Sequence, residues 1–253
     1  MNKDITIAIP TYNNERDLWR CLYTLTLNTN MEARIIVINN DPSTASIIDN
    51  LISQEGLENV EVVHKLENLG WMGAINSALD LADTEYFCML NDDVIFIPGM
   101  PMFWEILTSH FKDPTVAAVG PCSNFASGVQ NLYETDLPYL IDTTLLVGFC
   151  LVTKTQLLKD IGGLDDSLTG GDDVDLSIRF LDKGMRLVCD RTAYIHHVGQ
   201  RTGKRLHADF WDSVDYQEII VNELIKKHDM AAWWRTHKTG WNKYDPILLE
   251  EPI

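Results

Sequence analysis

Three short polar stretches carry side chains that could do chemistry. In Asn91-Asp92-Asp93, two carboxylates interrupt an apolar run that ends at Leu90 and resumes at Val94. An isolated Asn-Asp-Asp is usually a strand-end turn, because these side chains hydrogen-bond their own backbone. Carboxylates set beside a core with no Lys or Arg nearby also suit Mg²⁺ or Mn²⁺, with a diphosphate and waters completing the shell. The second stretch, Gly170-Gly171-Asp172-Asp173-Val174-Asp175, opens a helix. Acidic residues are common there because they favour the positive end of the helix dipole, which explains one carboxylate better than three. Asp175 has an i,i+4 partner in Arg179. Asp173, behind a flexible glycine pair, is then free to act as a general base toward a hydroxyl. The third stretch, His196-His197, precedes Arg201, Lys204 and Arg205. A lone histidine after a strand is more often structural, and a basic loop is more often simply solvated. A neutral imidazole can nevertheless join a carboxylate on a divalent cation, and charged donors suit phosphate oxygens.

These groups need elements to position them. Residues 5–9, 34–38, 60–63 and 86–90 read as buried strands, with Leu18, Leu22 and Leu25 at helical spacing after the first and a helix from about 71 to 81 after the third. Such alternation implies right-handed crossovers and a mostly parallel sheet, in which ligands bind at the carboxyl ends of the strands. The polar clusters at 10–14, 39–43 and 91–93 each lie just past such an end. Residues 116–120 and 144–152 read as further strands, and residues 172–184 as a helix stopped by Gly184. Strands at 186–189 and 192–195 lead into His196, and a helix is predicted from about 208 to 227. The segment from Asn68 to Leu79 is punctuated by Gly70 and Gly73, but it lacks a dinucleotide fingerprint and a Walker lysine. Asn76 is read as holding that glycine loop.

Composition bounds the setting. The 253 residues suffice for one sizeable α/β domain with an appendage, and 45% hydrophobic with 23% charged residues is ordinary for a globular chain. The longest apolar run is too short to span a bilayer, and the first residues lack a signal peptide's apolar segment. Five cysteines without CxxC spacing argue against a disulfide framework and point to a cytoplasmic protein with reduced thiols. Residues 201–253 carry 8 Lys/Arg and 9 Asp/Glu, which leaves 12 and 28 of the chain's 20 and 37 in residues 1–200, a balance of −16. Stable nucleic-acid binding is therefore not expected. An anionic ligand on so acidic a body needs a divalent cation or a local basic cluster.

Taken in order, IAIPTYNN, IIVINNDPS, NLGWMGAINSAL, MLNDDV, LVGFCLVTKTQLLKDIGGLDDSL, GGDDVDLSIRFLDKG and AYIHHVGQRT resemble the motifs of the family 2 glycosyltransferases of GT-A fold. The resemblance runs from about residue 4 to residue 202. It implies a Rossmann-like, mostly parallel central sheet flanked by helices, with a helical C-terminal extension. Residues 1–202 would form the GT-A domain, split into a nucleotide-sugar-binding half, 1–100, and an acceptor and catalytic half, 101–202. Residues 203–253 would form the extension, a candidate homodimer contact. The implied reaction moves a sugar, with inversion, from a UDP-, GDP- or dTDP-sugar to a hydroxyl of a carbohydrate or other acceptor.

The resemblance also assigns roles. Pro10, Thr11 and Tyr12 would line the nucleotide pocket, Asn39 and Asn40 would contact base or ribose, and Asn68, Gly70 and Gly73 would form the donor loop. Asn91-Asp92-Asp93 corresponds to the DXD element, with Asp93 and His197 as ligands of Mn²⁺ or Mg²⁺. Arg201, Lys204 and Arg205 would meet the diphosphate. Asp172 and Asp173 match the acidic pair that supplies the base, Asp173, and Gly148 and Phe149 lie on the acceptor side. Asn39 and Asn91 stand where the family usually has acids. Two other readings are a sugar-nucleotide nucleotidyltransferase and a non-catalytic sugar-nucleotide-binding module. The acceptor itself, whether polysaccharide, lipid-linked glycan, protein or modified nucleic acid, has no readable code.

Overall fold

A computed structural model describes residues 4–29, 33–57, 59–199 and 214–238. Strands β1 (Ile5–Thr11), β2 (Arg34–Asn39), β3 (Val60–His64) and β4 (Tyr86–Leu90) are mutually parallel and lie in the order β3-β2-β1-β4. Helices α1 (Glu15–Asn28), α2 (Ala45–Gln54) and α3 (Gly70–Leu81) make the crossovers. All seven residues of β1 are buried. A central strand covered on both faces reads as a continuous apolar run. Its side chains still alternate. Ile5, Ile7 and Ile9 pack with Leu18, Leu22, Phe103 and Trp104 on one face, while Ala8 packs with Ala74, Ala78, Leu158 and Phe180 on the other. Burying one leucine-sized side chain contributes about 1.5–3 kcal/mol, so both faces hold β1 in a single register.

The second half departs from simple alternation. Strand β8 (Cys150–Lys154) runs antiparallel between β4 and β6 (Val116–Cys122), pairing Leu90 with Cys150. β9 (Arg186–Tyr194) lies parallel to β6, and β7 (Leu140–Thr143) closes the edge antiparallel to β9. The strand predicted over 144–152 therefore begins only at Cys150. Leu145 to Phe149 is an apolar loop with the same buried character, whose Gly148 and Phe149 backbones serve the site instead of a ladder. The two strands predicted at 186–189 and 192–195 are one, with a register shift against β6 between Pro121 and Cys122. Helix α4 (Phe103–Ser109), not predicted, brings Phe103 and Trp104 under the sheet. Helix α5 (Thr155–Asp160) precedes α6 (Asp172–Asp182). A two-stranded ribbon, β5 (Val94–Ile95) with β10 (His196–His197), pairs His197 with Val94.

The C-terminal helix, Val214–His228, packs on α6 through a small cluster of Leu145, Val174, Ile178 and Leu224. The predicted helix began near residue 208, and positions 208–213 lie outside the described residues. All five cysteines are buried free thiols. Among the described residues, no helix is long and apolar enough to cross a membrane.

Candidate active site

Strand order reverses between β1 and β4, since β2 lies on one side of β1 and β4 on the other. That is where open α/β sheets leave a crevice at their carboxyl ends. Pairing of β1 with β4 stops at Ala8–Met89, while β1 continues to Thr11 beside β2. Beyond the divergence, the Thr11 hydroxyl donates to Asp92 Oδ2 at 2.7 Å. Asp92 is thus directed toward β1 and α1, and burial raises its carboxyl to about 7 against the hydrogen bonds from Thr11 and Asn14. Its neighbour Asp93 faces the opposite way, toward β10.

Asp93 and His197 form the fixed pair of the crevice. Asp93 Oδ2 accepts the Gly199 N–H at 2.9 Å, and Asp93 Oδ1 lies 3.1 Å from His197 Nε2. His197 Nδ1 is 2.9 Å from the Phe125 carbonyl oxygen, which can only accept, so this nitrogen carries the proton. In the neutral ring, Nε2 then holds a lone pair. It accepts from Asn91 Nδ2 at 3.1 Å and faces the carboxylate. Asp93 Oδ1 is buried without a donor. A lone pair set against an unsatisfied buried carboxylate oxygen calls for a cation or a proton between them. The imidazole is locked by stacking on Phe149, with centroids 5.2 Å apart, and by the edge contact with Phe125. A ring nitrogen fixed by a carbonyl at its far side is the usual arrangement of a metal-binding histidine. Among the described residues, no three His, Cys, Asp or Glu side chains converge. Two protein ligands nevertheless suit Mg²⁺ or Mn²⁺, which fill their shells with phosphate and water. The residues present fit the ion.

The second acidic pair begins α6. Asp173 Oδ1 accepts the Val174 N–H at 2.9 Å, and the Gly148 N–H also serves its carboxylate. The Trp71 indole donates to Asp172. Burial raises Asp173 to about 6, offset by its backbone donors. Burial followed by the charge of Asp173 raises Asp172 to about 7. Burial thus holds both carboxyls of the pair above the ordinary carboxylate range, and Asp173 is the one with donors from both the Val174 and Gly148 backbone. Both remain partly open to the crevice. Gly148 thus touches this pair, while the next residue, Phe149, stacks on His197 and accepts the Asn91 N–H at 2.9 Å. Two adjacent residues join the acidic clusters.

On the donor side, Asn40 braces the glycine loop, donating to the Gly70 carbonyl at 3.1 Å and accepting from the Leu69 N–H at 3.4 Å. Asn68 Oδ1 accepts the Gly70 N–H at 2.8 Å. Gly70 has φ +68°, and a Cβ on Gly73 would stand 3.1 Å from Leu69 Cβ, so both glycines serve the tight entry to α3. Asn39 is fully buried and saturated. Its Nδ2 meets the Asp41 carbonyl and His64 Nδ1, and its Oδ1 accepts from Asp41 N–H and Thr44 Oγ1. Pro10 is buried at the end of β1, and Tyr12 is half-buried beside it. Asn76 holds a different loop from the one expected. Its amide exchanges two hydrogen bonds of 2.8 Å with the Leu164 backbone, tying α3 to the α5–α6 connection. Arg201, Lys204 and Arg205 lie outside the described residues.

Asn124 and Phe125, which follow β6, were not singled out from the sequence. Asn124 Oδ1 accepts the His197 N–H at 2.8 Å, and Asn124 Nδ2 donates to the His197 carbonyl at 3.0 Å. Their position just past a strand's carboxyl end is the one signal that points to them. Two surface cavities of about 400 Å³ each lie elsewhere, one lined by α2 and β3, the other by the 161–166 turn and Lys227.

Comparison with known proteins places this geometry. The chain is 27% identical over 211 residues to the pre-mycofactocin glycosyltransferase of Mycobacterium tuberculosis, a match covering 78% of this chain and 43% of that one. The chain therefore spans less than half the length of the curated relatives it matches. In fold it is similar to the mannosyltransferase PcManGT from Pyrobaculum calidifontis, solved with GDP-Man and Mn²⁺, at TM-score 0.69 and 17% identity, covering 93% of this chain and 68% of that one. GalNAc-T7, solved with UDP, GalNAc and Mn²⁺, gives TM-score 0.66 at 13% identity, covering 94% and 55%. The GT-A expectation for the fold is borne out. The model of the family described as "Glycosyl transferase family 2" matches residues 6–162, more than half of the chain, which belongs to that family.

Proposed function

We propose that the protein transfers a sugar, with inversion, from a nucleoside-diphosphate sugar to an acceptor hydroxyl. The observation that carries this reading is the Gly148-Phe149 step, which touches Asp173 on one side and the Asp93–His197 pair on the other. Asp173 is the base. With a raised pKa of about 6, it is ionised at neutral pH and basic enough to take a hydroxyl proton as the acceptor oxygen attacks the sugar's C1. Its backbone donors hold the carboxylate in place beside Asp172. Asp93 and His197 would hold Mn²⁺ or Mg²⁺, which when bound offsets charge on the departing nucleoside diphosphate. Asn40 and Asn68 shape the donor loop, and Thr11 fixes Asp92 behind the cation ligands. Both structural neighbours were solved with a nucleotide and Mn²⁺, which supports the donor class without selecting the base or sugar.

The test is nucleoside diphosphate release from a donor panel with Mn²⁺, with and without acceptor. General-base assistance is worth about 10²–10⁴-fold, so Asp173→Asn should lose transfer by that factor while binding donor as the wild type does. Wild-type turnover by that variant refutes the base. Pyrophosphate exchange would mark a nucleotidyltransferase instead, and binding without turnover a non-catalytic module.

A further inference from the structure

The glycine pair before the acidic residues reads from sequence as flexible, but the structure makes it a seat. A Cβ on Gly171 would stand 2.8 Å from Leu224 Cδ1 and 2.9 Å from Ile220 Cγ2, and Gly171 has φ +71°. A Cβ on Gly170 would stand 2.9 Å from Ile220 Cδ1 and 3.2 Å from Tyr216 Oη. The C-terminal helix, Val214–His228, therefore presses against backbone that no other residue type could offer so closely. It also grips the preceding residue. Glu223 accepts the Thr169 N–H at 2.8 Å and its hydroxyl at 2.9 Å, and Tyr216 Oη donates to the Thr169 carbonyl at 3.2 Å.

The same helix holds the other side of the pair. Asp175 is fully buried in the first turn of α6. Arg179 takes its Oδ2 at 2.8 Å, while Lys227 Nζ and His228 Nε2 each lie 2.6 Å from its Oδ1. The i,i+4 partner expected from sequence is present, but it is only one of three side chains on this carboxylate. Removing one partner takes a hydrogen bond from a fully buried carboxylate. Asp172 and Asp173 are thus bracketed at 169–171 and at 175 by contacts from one helix.

We infer that the helix Val214–His228 is the positioning element of the base: Ile220 and Leu224 on the glycine seat, with Lys227 and His228 on Asp175, fix how Asp173 faces the acceptor hydroxyl. This rests on Asp173 being the base. A helix that merely strapped the fold together would affect melting temperature without affecting turnover of the folded protein. A misplacement of about 1 Å at a reacting group can cost on the order of 10²-fold in rate.

The experiment uses the full chain with Ile220→Ala/Leu224→Ala, assayed well below its melting temperature. Transfer kcat should fall at least about tenfold with the donor KM within about twofold. Hydrogen exchange of the 169–175 amides should quicken at least about tenfold, while 86–95 stays unchanged. Unchanged exchange at 169–175, or faster exchange with wild-type kcat, overturns the inference. If the double variant does not fold, His228→Ala and His228→Gln replace it. His228→Ala should lower kcat and loosen the same amides, and His228→Gln, which can still donate to Asp175, should restore both. Equal behaviour of the two overturns the inference. If the wild type transfers no sugar, the proposed reaction fails, and exchange alone decides the seating: faster at 169–175 upholds it, unchanged refutes it.

Discussion

Replacing Asp172 by Asn should make the fold relatively more stable as pH rises, even as it harms catalysis. Asp172 titrates at about 7 in the folded chain against an ordinary 3.8, chiefly because burial penalises its charge and then because Asp173 lies beside it. Between those values, the folded chain binds a proton that the unfolded chain has lost. The contribution of this site is fully present below about pH 4 and is lost as pH rises through about 7. Three pH units at about 1.4 kcal/mol each give about 4 kcal/mol for a sealed site. Asp172 opens partly to the crevice, so solvent reduces this to roughly 2 kcal/mol. Asparagine does not titrate, and its side-chain oxygen can still accept from the Trp71 indole. In a chain of this size, a kcal/mol shifts Tm by about 2–4 °C. The Tm of the variant minus that of the wild type should therefore rise, as a signed difference, by about 4–8 °C between pH 4 and pH 8. Thermal unfolding of both proteins across that range measures it. A signed difference that stays constant or falls refutes the burial argument.

Asp93→Asn and His197→Ala should each weaken Mn²⁺ binding by at least about 10-fold, read by calorimetry. Chelator should abolish nucleoside diphosphate release by the wild type, and added Mn²⁺ should restore it. Thr11→Val removes the hydroxyl that satisfies buried Asp92 and should cost about 1–3 kcal/mol in urea unfolding, whereas Thr11→Ser should cost much less. Equal losses for the two variants would show that the methyl group matters more than the hydrogen bond.

What the sequence disclosed follows from which interactions are local. The parallel half was legible because β1, β2 and β4 are buried on both faces and end in polar turns, so strand position and crevice position are one signal. Strand β8 was misplaced because Leu145 to Phe149 is apolar whether it pairs in a ladder or packs as a loop. Asp92 and Asp93 are identical residues in one turn. Only Thr11 on β1 and His197 on β10, brought in from opposite sides, tie one to the strand and set the other against an imidazole as the proposed cation ligand. Asn39 shows the limit most clearly. The resemblance implies contact with base or ribose, and the structure shows His64, Thr44 and Asp41 at every hydrogen-bonding position of its amide. Those partners come from β3 and the turn after β2, and neither is signalled by the pair Asn39-Asn40.

The acidic composition posed the question of how a chain of net charge −17 would accept an anionic donor. The crevice carries less negative charge than its residue types suggest. Burial raises both Asp92 and Asp172 to about 7, so near neutrality each is ionised only part of the time. Asp93 is met by the Gly199 N–H on one oxygen and leaves the other for a cation beside His197 Nε2. Asp173, with backbone donors on its carboxylate, is raised only to about 6, which suits the base proposed for it. Burial therefore lowers the charge of Asp92 and Asp172, two of the four carboxylates that a bound diphosphate would face under the proposed reaction. Composition counts formal charges, whereas the donor would meet only those that burial leaves standing.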